Sequence, residues 1–156
     1  MKTLYLSIHK LFHFMQNSDQ TSLTVSIDVH LSVEKVWDLW INPVHIVKWN
    51  TASPDWHTTH ATNEVKMGGA FSSRMEAKDG SVGFDFQGTY TVVEEHTRLA
   101  SDIGNGRVME VRFTAIENGT RITETFTPEN ENSLEMQRTG WQAILDNFKK
   151  YAEGLG

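Results

Sequence analysis

Residues 132–155 read NSLEMQRTGWQAILDNFKKYAEGL, and the fold turns on this stretch. At about 100° per residue, Leu134, Trp141, Ile144, Leu145, Phe148, Tyr151, Ala152 and Leu155 fall on one broad stripe. Asn132 with Glu135 reads as a capping pair, Glu129 and Glu131 sit near the positive end of the helix dipole, and Lys149 and Lys150 near the negative end. Together these predict a helix of about twenty residues beginning shortly after Pro128. A stripe that wide has to be laid on an apolar surface, and the aromatic face of a sheet is the only large candidate.

That sheet is legible upstream. Between Trp56 and Phe126 the chain reads as about six antiparallel strands. They are separated by Gly68-Gly69, Asp79-Gly80, Gly104-Asn105-Gly106 and Asn118-Gly119, residues that tolerate the positive φ of tight hairpin turns. Phe84, Phe86, Gly88, Tyr90 and Val92 share one face of their strand, and Met109, Val111, Phe113 and Ala115 one face of theirs. Before them, Leu23, Val25, Ile27 and Val29 alternate with polar residues as in a half-buried strand. The period then becomes helical. Ser32 is an N-cap, Glu34 lies in the first turn, and Val33, Val36, Trp37, Trp40 and Ile41 recur at helical spacing. Asn42-Pro43 starts a second short helix running to about Trp49. The order is strand, two short helices, about six strands and a long helix, an α+β arrangement without internal repeats.

At 156 residues, one domain is the default reading. The absence of cysteine removes thiol nucleophiles, thiolate metal sites and disulfides, and fits a reducing, cytoplasmic compartment. Twenty acidic against fourteen basic residues give a net charge of −6, with no basic run longer than Lys149-Lys150. Nucleic acid and anionic membranes are poor partners for such a chain. No apolar stretch approaches the ~20 residues that a bilayer span requires. Residues 1–20 read as an N-terminal extension to a domain at 21–156: a disordered segment, a short amphipathic helix, or chain translated upstream of a start at Met15. They hold no apolar run of signal-peptide length.

The order of elements resembles the START-like (SRPBCC, helix-grip) superfamily. More narrowly, Val36-Trp37 through Asn42-Pro43 and Lys48-Trp49, Gly68-Gly69, Tyr90, Thr120-Arg121, Glu124-Thr125-Phe126, and Gly140-Trp141 with Leu145 resemble the heat-shock-protein-90 ATPase activator-like family of bacteria. The resemblance covers about residues 21 to 155. It implies a curved antiparallel sheet wrapped around the C-terminal helix, with a cavity between them that accepts apolar or aromatic molecules. It also implies, as an alternative, docking on a chaperone ATPase.

Rigid aromatic side chains and adaptable methionines on the wall of such a cavity suit flat apolar ligands. The candidates are Trp37, Trp40, Trp56, Phe71, Met75, Phe84, Phe86, Tyr90, Met109, Glu124, Gln137, Trp141, Leu145 and Phe148. Trp49 and Phe113 belong to the same aromatic set, and each apolar member taken singly also reads as ordinary core. Two candidates are polar where the pattern asks for apolar residues. Gln137 lies near the centre of the helical stripe, and Glu124 alternates with Ile122 and Phe126 on the inner face of its strand. Burying such a group unpartnered costs on the order of several kcal/mol. Each therefore either meets a structural partner such as Arg74, Arg112 or Arg138, or turns its polar end to a ligand, in which case desolvation raises the Glu124 pKa.

Other chemistry is not encoded. His57 and His60, three apart on a strand, point to opposite faces and form no metal pair. The glycines near 68 and 104 lead into no helix with a Lys-Ser/Thr ending, no Gly-x-Ser-x-Gly occurs, and Glu94-Glu95 reads as a solvated strand end. No metal, cofactor or catalytic residue is assigned. The leading expectation is noncovalent binding of a small apolar or aromatic molecule, lipid- or polyketide-like. The alternatives are chaperone co-regulation by docking, and a cyclase or hydrolase using Glu124 or a histidine as acid or base on a cavity-bound aromatic substrate.

Overall fold

In the computed structural model, which describes residues 21–155, the alternation at Leu23, Val25 and Val29 buries one face of strand β1 (Leu23–Val29). The extension expected at 1–20 lies outside the described residues. Ser32 Oγ accepts the Lys35 backbone N–H at 3.3 Å and caps helix α1 (Val33–Ile41). Asn42 Oδ1 accepts the Val44 N–H at 3.1 Å and, with Pro43 at the first helical position, starts α2 (Pro43–Trp49). Six strands follow: β2 (Trp56–Asn63), β3 (Ala70–Ala77), β4 (Gly83–Glu94), β5 (Arg98–Gly104), β6 (Arg107–Ile116) and β7 (Gly119–Phe126). Helix α3 spans Leu134–Gly154.

The seven strands form one antiparallel sheet in the order β1-β7-β6-β5-β4-β3-β2, so β1 and β2 are its edges. Asn105 and Gly106, both at positive φ (55° and 74°), make the two-residue turn between β5 and β6. Register shifts between Thr58 and His60, Tyr90 and Val92, and Asp102 and Gly104 bend the strands, and the sheet curls into a half-barrel. This is the α+β helix-grip architecture that the element order predicts. The bulge after Tyr90 also corrects one expected face: the extra residue inverts the alternation, so Val93 rather than Val92 packs on the core. The bulge between Thr58 and His60 likewise inverts the alternation in β2, so that His57 and His60 share the exposed face instead of pointing to opposite faces, with Thr58 and Ala61 buried.

Helix α3 differs from expectation at both ends. Its N-cap is Ser133, whose Oγ accepts the Met136 N–H at 3.1 Å, not Asn132. Leu134 and Leu155, the first and last members of the stripe, are about half exposed. Between them, Leu145, Phe148 and Ala152 are fully buried against a core that includes Leu23, Val29, Val36, Ile122 and Phe126.

The placement of the helices decides where a hollow is left against the sheet. The helix packs on β1 and against α2. Gln142 Nε2 donates to the Ser26 carbonyl at 3.0 Å and Lys149 Nζ to the Asp28 carbonyl at 2.7 Å, satisfying backbone acceptors of an edge strand. Asn147 Nδ2 donates to the Trp49 carbonyl at 2.8 Å. The helix is thus tied to one side of the curled sheet, while α2 packs on the edge strand β2 and α1 meets β6; between these helices and the concave face the packing leaves a hollow. Among the described residues no helix is long and apolar enough to cross a membrane.

Candidate functional site: a cavity between the sheet and the long helix

Between the concave face and the helices lies a half-open cavity of about 860 Å³. Its exposed lining residues, including Ala52, Phe84, Asn132 and Met136, mark the rim, and buried Ile46, Trp49, Leu99, Val111 and Glu124 form the deep part. Aromatic rings run around it. Trp141 lies flat on Phe126, with centroids 3.8 Å apart and planes at 8°, and meets Phe86 almost perpendicularly at 5.9 Å. Phe71 bridges Phe86 and Tyr90 at 6.0 and 5.1 Å. Phe71 sits there because its cross-strand partner is Gly88, where a Cβ would stand 2.6 Å from Phe71 Cζ. On the helical side Trp40 stacks on Trp49 at 4.7 Å. Trp49 is fixed by its indole N–H, which donates to the Leu39 carbonyl at 2.9 Å.

The polar groups of the wall fall into two kinds. Most are already engaged. Tyr90 Oη donates to Asn63 Oδ1, and Asn63 Nδ2 donates to the Ile41 carbonyl at 2.7 Å, which ties β4 and β2 to the end of α1. Burial pushes the Tyr90 hydroxyl up to about 12. Arg107 Nε donates to the Thr127 carbonyl at 3.1 Å. Gln137 is wholly used by the loop before α3: its Nε2 donates to the Glu129 and Asn132 carbonyls at 3.0 and 2.9 Å, and its Oε1 accepts the Glu129 N–H at 2.8 Å. Its partners are therefore backbone groups of residues 129–132, not an arginine and not a ligand. Gln137→Leu keeps the volume and removes these bonds. It is expected to cost about 2 kcal/mol in chemical denaturation and to speed amide exchange at Glu129; unchanged exchange there would contradict the clamp.

Glu124 is the other kind. It is 4% exposed and lines the cavity, and no group among the described residues hydrogen-bonds its carboxyl. The arginines expected as partners are committed elsewhere or remote: Arg74 pairs with Glu76 and Asp85, Arg112 with Glu110, and Arg138 is exposed. Burial alone pushes the Glu124 carboxyl up to about 8. Among the described residues, no three or more His, Cys, Asp or Glu side chains converge as a metal-holding group would require.

The sequence profile described as activator of Hsp90 ATPase homolog 1-like protein matches residues 30–153. The chain belongs to that family. The AHSA1-like protein of Aeromonas hydrophila is 46% identical, with a TM-score of 0.77 over 86% of this chain and 94% of that one. A Cytophaga hutchinsonii protein is also 46% identical, with a TM-score of 0.75 over 85% and 92%. A Nitrosomonas europaea protein at 18% identity shares the fold, with a TM-score of 0.75 over 88% of this chain and 97% of that one. No curated protein matches the sequence.

In this Hsp90-activator-like chain, Trp40, Trp56, Phe71, Met75, Phe84, Phe86, Tyr90, Met109, Glu124, Gln137 and Trp141 stand on the cavity wall. Trp37, Leu145 and Phe148 do not. Trp37 is buried edge-on against Phe113 and His96, at 5.3 and 5.9 Å, on the side of α1 that meets β6. Phe148 stands behind Trp40 and Trp49, at 5.1 and 5.0 Å, and Leu145 is buried in the core. Trp49, Leu99, Ser73 and Ser101 are wall residues outside the sequence candidates. Trp49 carried a signal as part of the aromatic set; Ser73 and Ser101, small residues on inner faces, leave room rather than a pattern.

Proposed function

We propose that the chain binds a small apolar or aromatic molecule, lipid- or polyketide-like in character, noncovalently in the cavity between the sheet and α3. The observation that carries this reading is the cavity itself. At about 860 Å³ it lies within the roughly 300–1,000 Å³ of small-molecule sites, and its walls are mainly aromatic and aliphatic with few polar groups. Unfilled space beside a close-packed core forfeits dispersion contacts, a loss that an occupant offsets.

Gly140 supplies the experiment. It lies with Gln137, Trp141 and Ile144 on the cavity face of α3, and an added Cβ would meet nothing within 4 Å. Gly140→Ala is expected to stabilise the fold by about 1 kcal/mol through helix propensity. Gly140→Phe places a ring in the cavity and is expected to weaken binding of a neutral naphthalene dye about tenfold, with an unchanged far-ultraviolet circular dichroism spectrum. Equal dye affinity in the folded variant would contradict the assignment of the cavity. The family description favours a second reading, regulation of a chaperone ATPase by docking. It is supported if the purified chain raises the ATPase rate of Hsp90 and rejected if the rate is unchanged at saturating chain.

A further inference from the structure

Glu124 places a carboxyl in the deep part of an apolar cavity, and none of the described residues pairs with it. Its cross-strand neighbours are Val25 on β1 and Val111 on β6. The ionisable side chains on the cavity wall besides Glu124 are Tyr90 on β4, Arg107 on β6 and Glu129 in the loop before α3. Tyr90 and Arg107 are hydrogen-bonded to Asn63 and Thr127, and Glu129 accepts the backbone N–H groups of Glu131 and Asn132. The wall residues from α1, α2, α3, β2, β3 and β5 include no ionisable side chain. A carboxyl so placed gives up its charge, and the neutral acid presents an O–H donor beside a C=O acceptor.

We infer that Glu124, as a neutral acid, anchors an uncharged ligand: an aromatic or apolar body bearing a hydrogen-bond acceptor such as a carbonyl oxygen, with carboxylates and other anions rejected. This deepens the cavity-binding reading and rests on it. An acceptor placed on the acid gains a bond in low-dielectric surroundings once the ligand body displaces water, whereas an anion meets no cation among the described residues of the deep part and opposes ionisation of the acid beside it. With burial holding the carboxyl at about 8, the neutral form prevails at neutral pH and is lost above that value. Ligand affinity is therefore coupled to one proton: a ligand that prefers the protonated acid binds progressively less well as pH rises through the carboxyl's pKa.

The test uses three compounds of nearly one shape, acetylnaphthalene, naphthylmethylamine and naphthoate, titrated into the full chain by tryptophan quenching and calorimetry. At about pH 6.5, acetylnaphthalene is expected to bind about tenfold or more tightly than naphthoate, and above about pH 8 its affinity is expected to fall roughly tenfold per pH unit. Glu124→Gln keeps a donor and is expected to bind within about threefold of wild type with a flat pH profile; Glu124→Leu is expected to lose about tenfold. Equal, pH-independent binding by wild type and both variants overturns the anchor while leaving the cavity reading intact. Tighter binding of naphthylmethylamine overturns it in favour of an ion pair with the carboxylate. If none of the three binds, the anchor and the cavity reading fail together. Should Glu124→Leu not fold, the wild-type pH profile and the order of the three affinities decide alone.

Discussion

Glu124→Gln is expected to gain stability over wild type as pH rises from about 4.5 to about 8, reaching about 3 kcal/mol at pH 7. In the unfolded chain this carboxyl ionises near its ordinary value of 4.5, whereas burial without a counter-charge holds it at about 8 in the fold. Between those values the unfolded state releases a proton that the folded state keeps, so wild-type stability declines with rising pH. The decline ends above about pH 8, where both states are ionised. A glutamine has no proton to release. The difference between the two urea stabilities, measured at steps from about pH 4 to pH 9, removes the contributions of surface carboxylates common to both proteins. Parallel curves would mean that Glu124 has found a cation or water in solution, and the anchoring role would go with them.

Phe148→Ala is expected to destabilise by about 3–5 kcal/mol, the range for emptying a buried phenylalanine site. Phe148 is fully buried and meets the edges or faces of both Trp40 and Trp49, the pair that forms the helical side of the cavity. Its removal takes away the support behind that wall as well as its own burial. Leu155→Ala, at a stripe position that is about half exposed, is expected to change stability by less than about 0.5 kcal/mol. Equal losses at the two sites would mean that the stripe is buried along its whole length, against the exposure of Leu134 and Leu155.

Much of the architecture was legible because it is written in local chemistry. Ser32 and Asn42-Pro43 start the two short helices by satisfying or lacking particular N–H groups, and Asn105-Gly106 makes its turn because both residues tolerate positive φ. The position of the hollow was not written in that way. It depends on Gln142, Asn147 and Lys149, which lie off the apolar stripe and tether α3 to β1 and α2. Trp37 and Trp40 show the same limit: three apart on one helix, both read as cavity candidates. The seating of α1 on β6 turns one into the core and the other to the cavity. Gln137 was legible as an anomaly, but its partners are backbone groups of residues 129–132, which leave no mark in the pattern. For Glu124, alternation within β7 was enough to place the carboxyl inward, since Val25 and Val111 beside it are apolar in sequence as well.

The five tryptophans allow the receptor claim to be examined in one titration, because four of them, Trp40, Trp49, Trp56 and Trp141, line the cavity and Trp37 does not. In a proton–nitrogen correlation spectrum of the labelled chain titrated with acetylnaphthalene, the indole signals of Trp40, Trp56 and Trp141 are expected to shift together with one affinity while that of Trp37 stays in place. A titration that moves Trp37 and leaves Trp141 unchanged, or that moves none of the five, would contradict a ligand-receiving hollow between the sheet and α3.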